Sequence, residues 1–282
     1  MNYLKEFEDY LHEQDKSKNT IESYMRDIID FYNWYKDKND CDITDIIGLD
    51  LQEYKKIIQN NYKISTANRK IATINKFMKW LHDNNYIQKD ITLKQIKNKD
   101  GVTFKGLEEK ELWKLRKEIH RAGNLMHICI FEILLNTGIR VSELCGIQLH
   151  DIKLSDRKGN LEVLGKGNAK RTIPLNKDAR DAITNYLAGR KSVEGEYYLL
   201  IGQRGAITRK GIDTILKSYG RRIDIDVSAH KIRHSLAYKL INSDVPITTV
   251  QGILGHEKLE TVMIYTQTMN KDKEKALENI EW

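Results

Sequence analysis

The chain has 282 residues, long enough for two domains with a core each. Its formal charge is +7, and the surplus lies C-terminally: basic and acidic residues stand at 17 against 17 over positions 1–100 but at 30 against 23 over 101–282. Three scattered cysteines, Cys41, Cys129 and Cys145, argue against a disulfide framework, and the longest apolar run, LMHICIFEILL, is too short to span a bilayer.

The start, MNYLKEFEDY, turns acidic at once and does not read as a signal peptide. These features predict a soluble, cytoplasmic protein with no membrane partner. The basic balance is compatible with nucleic acid but does not by itself demand it.

Only two prolines and many long polar side chains predict a mainly α-helical fold. FEDYLHEQ and TIESYMRDIIDFYNWYKD read as two amphipathic helices, the second capped by Asn19-Thr20. A third helix is predicted over about 50–59. In the fourth, STANRKIATINKFMKWL, Ala67, Ile71, Ile74, Met78 and Leu81 share one face, and Arg69, Thr73 and Lys76 the other. The plain reading of that second stripe is a solvated face. These helices form an expected N-terminal domain over 1–88. The lysine-rich segment KDITLKQIKNKDGVTFK reads as a linker, placed at 89–106, and a second domain follows over 107–282. Helices resume at LEEKELWKLRKEI and at 124–135. LEVLGKGNAKRTIPL, alternating around a Gly-Lys-Gly-Asn turn, is the one clear β-hairpin signal. The pattern after it is helical to the end.

Chemistry concentrates in five stretches. HKIRH places His230 and His234 at i and i+4, a spacing that grips a metal on a helix. It also places His230 and Arg233 at i and i+3, where both can face one anion. In NTGIRVSEL a helix stops at Gly138, Arg140 follows, and Glu143 lies one turn on, positioned to hold the arginine or merely to form a structural ion pair. In GKGNAKR, Lys166 sits in the hairpin turn, where a lone lysine is ordinarily solvated. His256 follows a helix-closing glycine in LGHEK, where a histidine often caps. Tyr265 lies nine residues further, where a helical tyrosine is commonly core.

Taken together and in order, Arg140, Lys166, His230, Arg233, His256 and Tyr265 resemble the catalytic set of the tyrosine recombinase, or phage integrase, family. TGIRVSEL resembles its first arginine box and GKGNAKRTIPL its lysine hairpin. HKIRHSLAYKLINSDVPITTVQGILGHEKLETVMIY resembles its second box throughout, and the helical start is similar to the family's SAM-like core-binding domain. Two departures stand out: Ser243-Asp244 where a glycine turn is common, and Ala237-Tyr238-Lys239 in place of smaller residues.

The resemblance implies a compact Xer-like recombinase that cuts and rejoins double-stranded DNA through a 3′-phosphotyrosyl link. Its catalytic domain would be mostly helical with a small antiparallel sheet. Arg140 and Arg233 would clamp the phosphate, with His230 and His256 as further donors, Tyr265 as nucleophile, Lys166 as general acid, and Glu143 steadying Arg140. Arg69, Lys76, Lys170 and Arg171 are the expected DNA contacts. No cofactor or metal is implied: the positive charge comes from side chains. Lys231, Ile232 and Arg233 between the two histidines also disfavour a divalent ion, which leaves His234 a supporting residue. Expected partners are a DNA core site with inverted repeats, further protomers in a synaptic tetramer, and a second recombinase or DNA-bending protein. A C-terminal tail helix would dock on a neighbour, and the protein would associate with the nucleoid through DNA. The alternatives are a type IB topoisomerase, which reseals the strand it cut, and a DNA-binding protein without catalysis.

Overall fold

In the computed structural model, residues 3–39, 41–97, 106–165, 170–190, 197–202 and 205–255 are described. The chain divides into two units, Met1–Gly101 and Val102–Trp282. Among the described residues no helix is long and apolar enough to cross a membrane.

The first unit is built from α1 (Tyr3–Glu13), α2 (Lys18–Lys38), α3 (Gly48–Asn61) and α4 (Ile64–Asp83). The predicted stripe of α4 is its core face: Ala67, Ile71, Ile74, Met78 and Leu81 are all fully buried. Each of the larger ones contributes about 2 kcal/mol by leaving water. Phe77 on α4 meets Phe7 of α1 edge-on at 5.0 Å, and Phe31 of α2 meets Tyr54 of α3 in the same way at 5.0 Å. Aromatic edge-to-face contacts thus join the helices in pairs.

Three expectations change here. The cap of α2 is Ser17, whose Oγ accepts from the Thr20 amide; Asn19 and Thr20 lie inside the first turn. The opposite face of α4 is only partly solvated. Thr73 is buried and donates to the Arg69 carbonyl at 3.1 Å. Neighbouring Lys70 is also buried and pairs with Asp27 and Asp30 of α2. Lastly, the start of the expected linker is fixed to the first unit. Asn75 brackets the backbone of Leu93, giving and receiving at 2.9 and 2.8 Å, and Asn68 brackets Ile96 at 2.9 and 2.7 Å. Leu93 is buried in the same core. Two apolar anchors and two amide side chains on one face of α4 outweigh the lysine-rich composition.

The second unit is centred on α6 (Leu125–Thr137), which is apolar nearly all round and therefore buried nearly all round. Around it stand α5 (Glu109–Arg121), α7 (Val141–Gly146), α8 (Lys177–Gly189), α9 (Arg209–Arg222), α10 (Ala229–Asn242) and α11 (Ile247–Leu254). The one charge buried in α6, Glu132, is held by Arg116 and His120 of α5 and by Asn136 one turn on. Its carboxylate is thereby satisfied, as a buried charge must be.

The expected hairpin is present as β2 (Gly159–Leu164) and β3 (Lys170–Pro174), in register from Asn160 opposite Pro174 to Leu164 opposite Lys170. A third strand, β1 (Ile152–Leu154), pairs with the outer edge of β2. The two-residue strands β4 (Ile201–Gly202) and β5 (Gly205–Ala206) form a second sheet, so the chain after the hairpin is not helical throughout. Strands of two or three residues carry too little alternation to be read in sequence. Asp244, in the departure noted after α10, adopts φ 55°, the left-handed conformation that a glycine would take there.

Candidate active site

The site begins at a helix stop. Gly138 closes α6 with φ 61°, and a Cβ there would lie 2.7 Å from Leu254 and 2.9 Å from Leu236. Both the conformation and the close approach require glycine. The chain then reverses through Ile139 so that Arg140 becomes the N-cap of α7. Glu143, one turn later, accepts from the Arg140 amide at 2.7 Å and from its Nη1 at 3.0 Å. The expected Arg140–Glu143 pairing is therefore made twice, by main chain and by side chain. A carboxylate in the first turn of α7 also suits the helix dipole.

Arg233 arrives on α10. It is only 4% exposed, and its guanidinium donates to the carbonyls of Gly138 and Leu254, the latter at 2.7 Å. Arg140 Nη2 donates to the next carbonyl, Gly255, at 3.0 Å. Two guanidinium groups, from segments far apart in sequence, are thus anchored to consecutive residues at the end of α11. Gly255 ends that helix with φ 63° and directly precedes His256.

His230 is exposed, one turn before Arg233 on the same helix. Its Nε2 lies 2.7 Å from Nε2 of His234, so one ring donates and the other accepts. The start of α10 is fixed by Ser228, whose Oγ accepts from the Lys231 amide, and Lys231 is held by Asp226 at 2.8 Å. That pairing draws Lys231 away from the two histidines toward the preceding loop.

Arg171, expected at DNA, is in the structure bonded to Glu143. Its Nη1 and Nη2 reach the two carboxylate oxygens of Glu143 at 2.9 Å each. Burial pushes the Glu143 carboxyl up, but the bonds from Arg171 and Arg140 outweigh it and hold the group below the usual carboxylate range. Lys170 is exposed on β3. In the first unit, Arg69 is exposed at one side while its guanidinium pairs with Asp27 and Ser23. Lys76 is half-buried, 5.6 Å above the Tyr10 ring. Burial, and then the Lys16 charge, lower its pKa. Lys166, His256 and Tyr265 lie outside the described residues.

Of the expected residues, the structure brings together Arg140, Glu143, Arg171 and Arg233, with His230 one turn away. The sequence reading missed that Arg171 and Gly255 belong to this cluster. A signal for Arg171 existed: along β3 it alternates with Ile173, and it pairs with buried Val163. Both mark the inward face of the sheet.

Residues 105–272 match the Phage integrase family, and residues 4–85 match the phage integrase N-terminal SAM-like domain. The chain belongs to the phage integrase family, and so to the tyrosine-type site-specific DNA recombinases. It is 31% identical over 277 residues to tyrosine recombinase XerC of Staphylococcus aureus, covering 95% of this chain and 92% of the relative. It is 32% identical over 282 residues to XerC of Staphylococcus epidermidis, with the same coverage. Among solved structures, the fold is similar to XerH site-specific recombinase bound to a palindromic difH substrate, with a TM-score of 0.78, 22% identity, and coverage of 94% and 81% of the two chains. It is also similar to the Tn1549 transposon integrase in complex with circular intermediate DNA, with a TM-score of 0.73, 17% identity, and coverage of 94% and 95%. The match through the N-terminal domain as well as the catalytic one supports recombination over the relaxing-enzyme alternative.

Proposed function

We propose that this phage integrase family member breaks and rejoins DNA with Tyr265 as nucleophile and with Arg140, Lys166, His230, Arg233 and His256 as its catalytic partners. The observation that carries this assignment is the convergence of Arg140 and Arg233 on the end of α11, immediately before His256. Two guanidinium groups at one spot match the charge on the non-bridging oxygens of a phosphodiester under attack. The Tyr265 oxygen forms a bond to phosphorus as the bond from phosphorus to the 5′ oxygen breaks. The tyrosine proton passes to His230 or to solvent, and Lys166 gives a proton to the departing 5′ oxygen. The resulting 3′-phosphotyrosyl link is resealed by the 5′-hydroxyl of another strand, which expels the tyrosine. No nucleotide is consumed, because the link conserves the bond.

The DNA is a core site with inverted repeats, bound by four protomers that join two duplexes. Lys76 and Arg69, the latter from its place on Asp27, contact it in the major groove or on phosphates, and Lys170 is a further DNA contact. A second recombinase or a bending protein is a further partner of such an assembly. The protein works in the cytoplasm, on the nucleoid.

The test begins by selecting a bound site from a random duplex library. A nicked duplex carrying that site traps the covalent intermediate, because the short fragment released after cleavage diffuses away. Wild type is expected to form a protein–DNA adduct, and Tyr265→Phe to bind the site with unchanged affinity and form none. An adduct with Tyr265→Phe would reassign the nucleophile.

A further inference from the structure

We infer that Arg171 is a positioning residue of the strand-cleavage reaction, acting through Glu143 on Arg140 and through Gly255 on the segment that enters His256. The inference rests on the recombinase reading above, and it replaces a DNA-backbone contact as the role of this arginine.

Three observations carry it. First, Arg171 and Arg140 grip the same carboxylate. Glu143, whose side chain is 5% exposed, receives four hydrogen bonds: two from the Arg171 fork, and one each from the Arg140 amide and Nη1. Both oxygens are thereby fixed in place, and Arg140 with them. A carboxylate with Arg140 alone would rotate between partners and cancel that arginine's charge. With Arg171 present, two cations share one anion, and one net positive charge remains beside the phosphate site.

Second, Arg171 lies against Gly255. A Cβ on Gly255 would stand 2.6 Å from the Arg171 guanidinium carbon and 2.8 Å from Nε. The left-handed turn favours glycine there, and any larger residue would displace the Arg171 guanidinium from its place against the turn. The guanidinium is a floor for the residue that accepts from Arg140 and precedes His256.

Third, the Arg171 side chain is committed inward. It is 17% exposed, and its Nε is buried with no acceptor among the described residues. Both terminal nitrogens of its fork are spent on one buried carboxylate, a bidentate pairing that fixes the guanidinium against Glu143. Because Arg171 is on β3, the same side chain also fixes the hairpin to the arginine pocket.

The experiment uses the full chain and the nicked duplex bearing the selected site. Arg171→Gln, Glu143→Gln, the double variant and Arg171→Lys are compared with wild type for three quantities: adduct formation rate at saturating DNA, DNA affinity against salt, and thermal midpoint. Misplacing a clamp by about 1 Å costs about a hundredfold in rate, and that loss is expected for Arg171→Gln with unchanged affinity. The salt slope of binding is expected to stay as in wild type, whereas loss of a phosphate contact would flatten it by about 0.9. The double variant is expected to cleave no more slowly than the slower single one. Arg171→Lys keeps the charge without the fork and is expected to recover only part of the rate; it also decides the matter if Arg171→Gln does not fold. Wild-type cleavage by Arg171→Lys and Arg171→Gln, or a flattened salt slope with the rate at saturation intact, would overturn the inference. Failure of wild type itself to form an adduct would instead overturn the recombinase reading.

Discussion

Arg140 and Arg233 are chemically the same group but are held differently. Arg140 is exposed at the lip of the site, bonded to a carboxylate and one carbonyl. Arg233 is buried and donates to two main-chain carbonyls. Removing either is expected to slow adduct formation by more than about a thousandfold, the scale set by other arginines in phosphoryl transfer. Their effects on folding should diverge. Arg233→Ala removes a donor from two buried carbonyls, at about 1–3 kcal/mol each, so its thermal midpoint should fall by several degrees. Arg140→Ala should melt close to wild type. Equal midpoints for the two variants would contradict the geometry of the Arg233 anchor. His256 is expected to matter less than either arginine in the cleavage assay, since it supplies one donor among several.

Among the elements, the pairing of α2 with α4 depends on a charge cluster set inside an otherwise apolar contact. The Asp27 side chain is 1% exposed and is met by Lys70 at 3.1 Å and by the Arg69 fork. Asp30, on the same helix and also bonded to Lys70, is 48% exposed. Burial works against the Lys70 charge, but the hydrogen bonds to Asp30 and Asp27 prevail and raise its pKa. Asp27→Ala takes the carboxylate from both Lys70 and the Arg69 fork. It should approach the cost of about 3–5 kcal/mol for breaking a buried pair, less what Asp30 recovers by still holding Lys70. Asp30→Ala leaves Lys70 on Asp27 and should cost less. Denaturant titration of Asp27→Ala and Asp30→Ala should separate them on that scale, and comparable midpoints would show the cluster to be solvated in solution. The same cluster ties Arg69 to the protein, so Arg69→Ala should lose stability as well as DNA affinity. Lys76→Ala, which breaks no ion pair among the described residues and loses only its contact with the Tyr10 ring, should change DNA binding with little loss of stability.

For the whole molecule, the proposed assembly of protomers on DNA makes the C-terminal tail the segment to test. The tail TQTMNKDKEKALENIEW, with Leu277 and Ile280 three residues apart, lies outside the described residues. On the proposed assembly, deleting the residues after Lys271 should leave a protein that binds one half-site but loses cooperative pairing on a full site. Gel-shift titrations on half and full sites measure this. Surviving cooperativity with a lowered thermal midpoint would place the tail's role within its own chain.

The sequence alone determined the helical class, the face of α4 that packs, the hairpin, the helix stop at Gly138 and the family. Each is written in local periodicity, in a glycine at a turn, or in the spacing of a few reactive residues. Tertiary structure alone decided that residues 91–97 pack on the first unit, because Asn68 and Asn75 find their backbone partners only after folding. It also decided that Thr73 and Lys70 are interior, and that Arg171 faces a carboxylate rather than solvent. A basic residue looks the same in sequence whether it meets water, a phosphate or a buried Glu143. The choice among these is made by which segment the fold sets opposite it, a contact across 28 residues for Arg171 and 42 for Arg69. Burial then makes that choice binding, since a charge taken out of water must keep the partner it folds against.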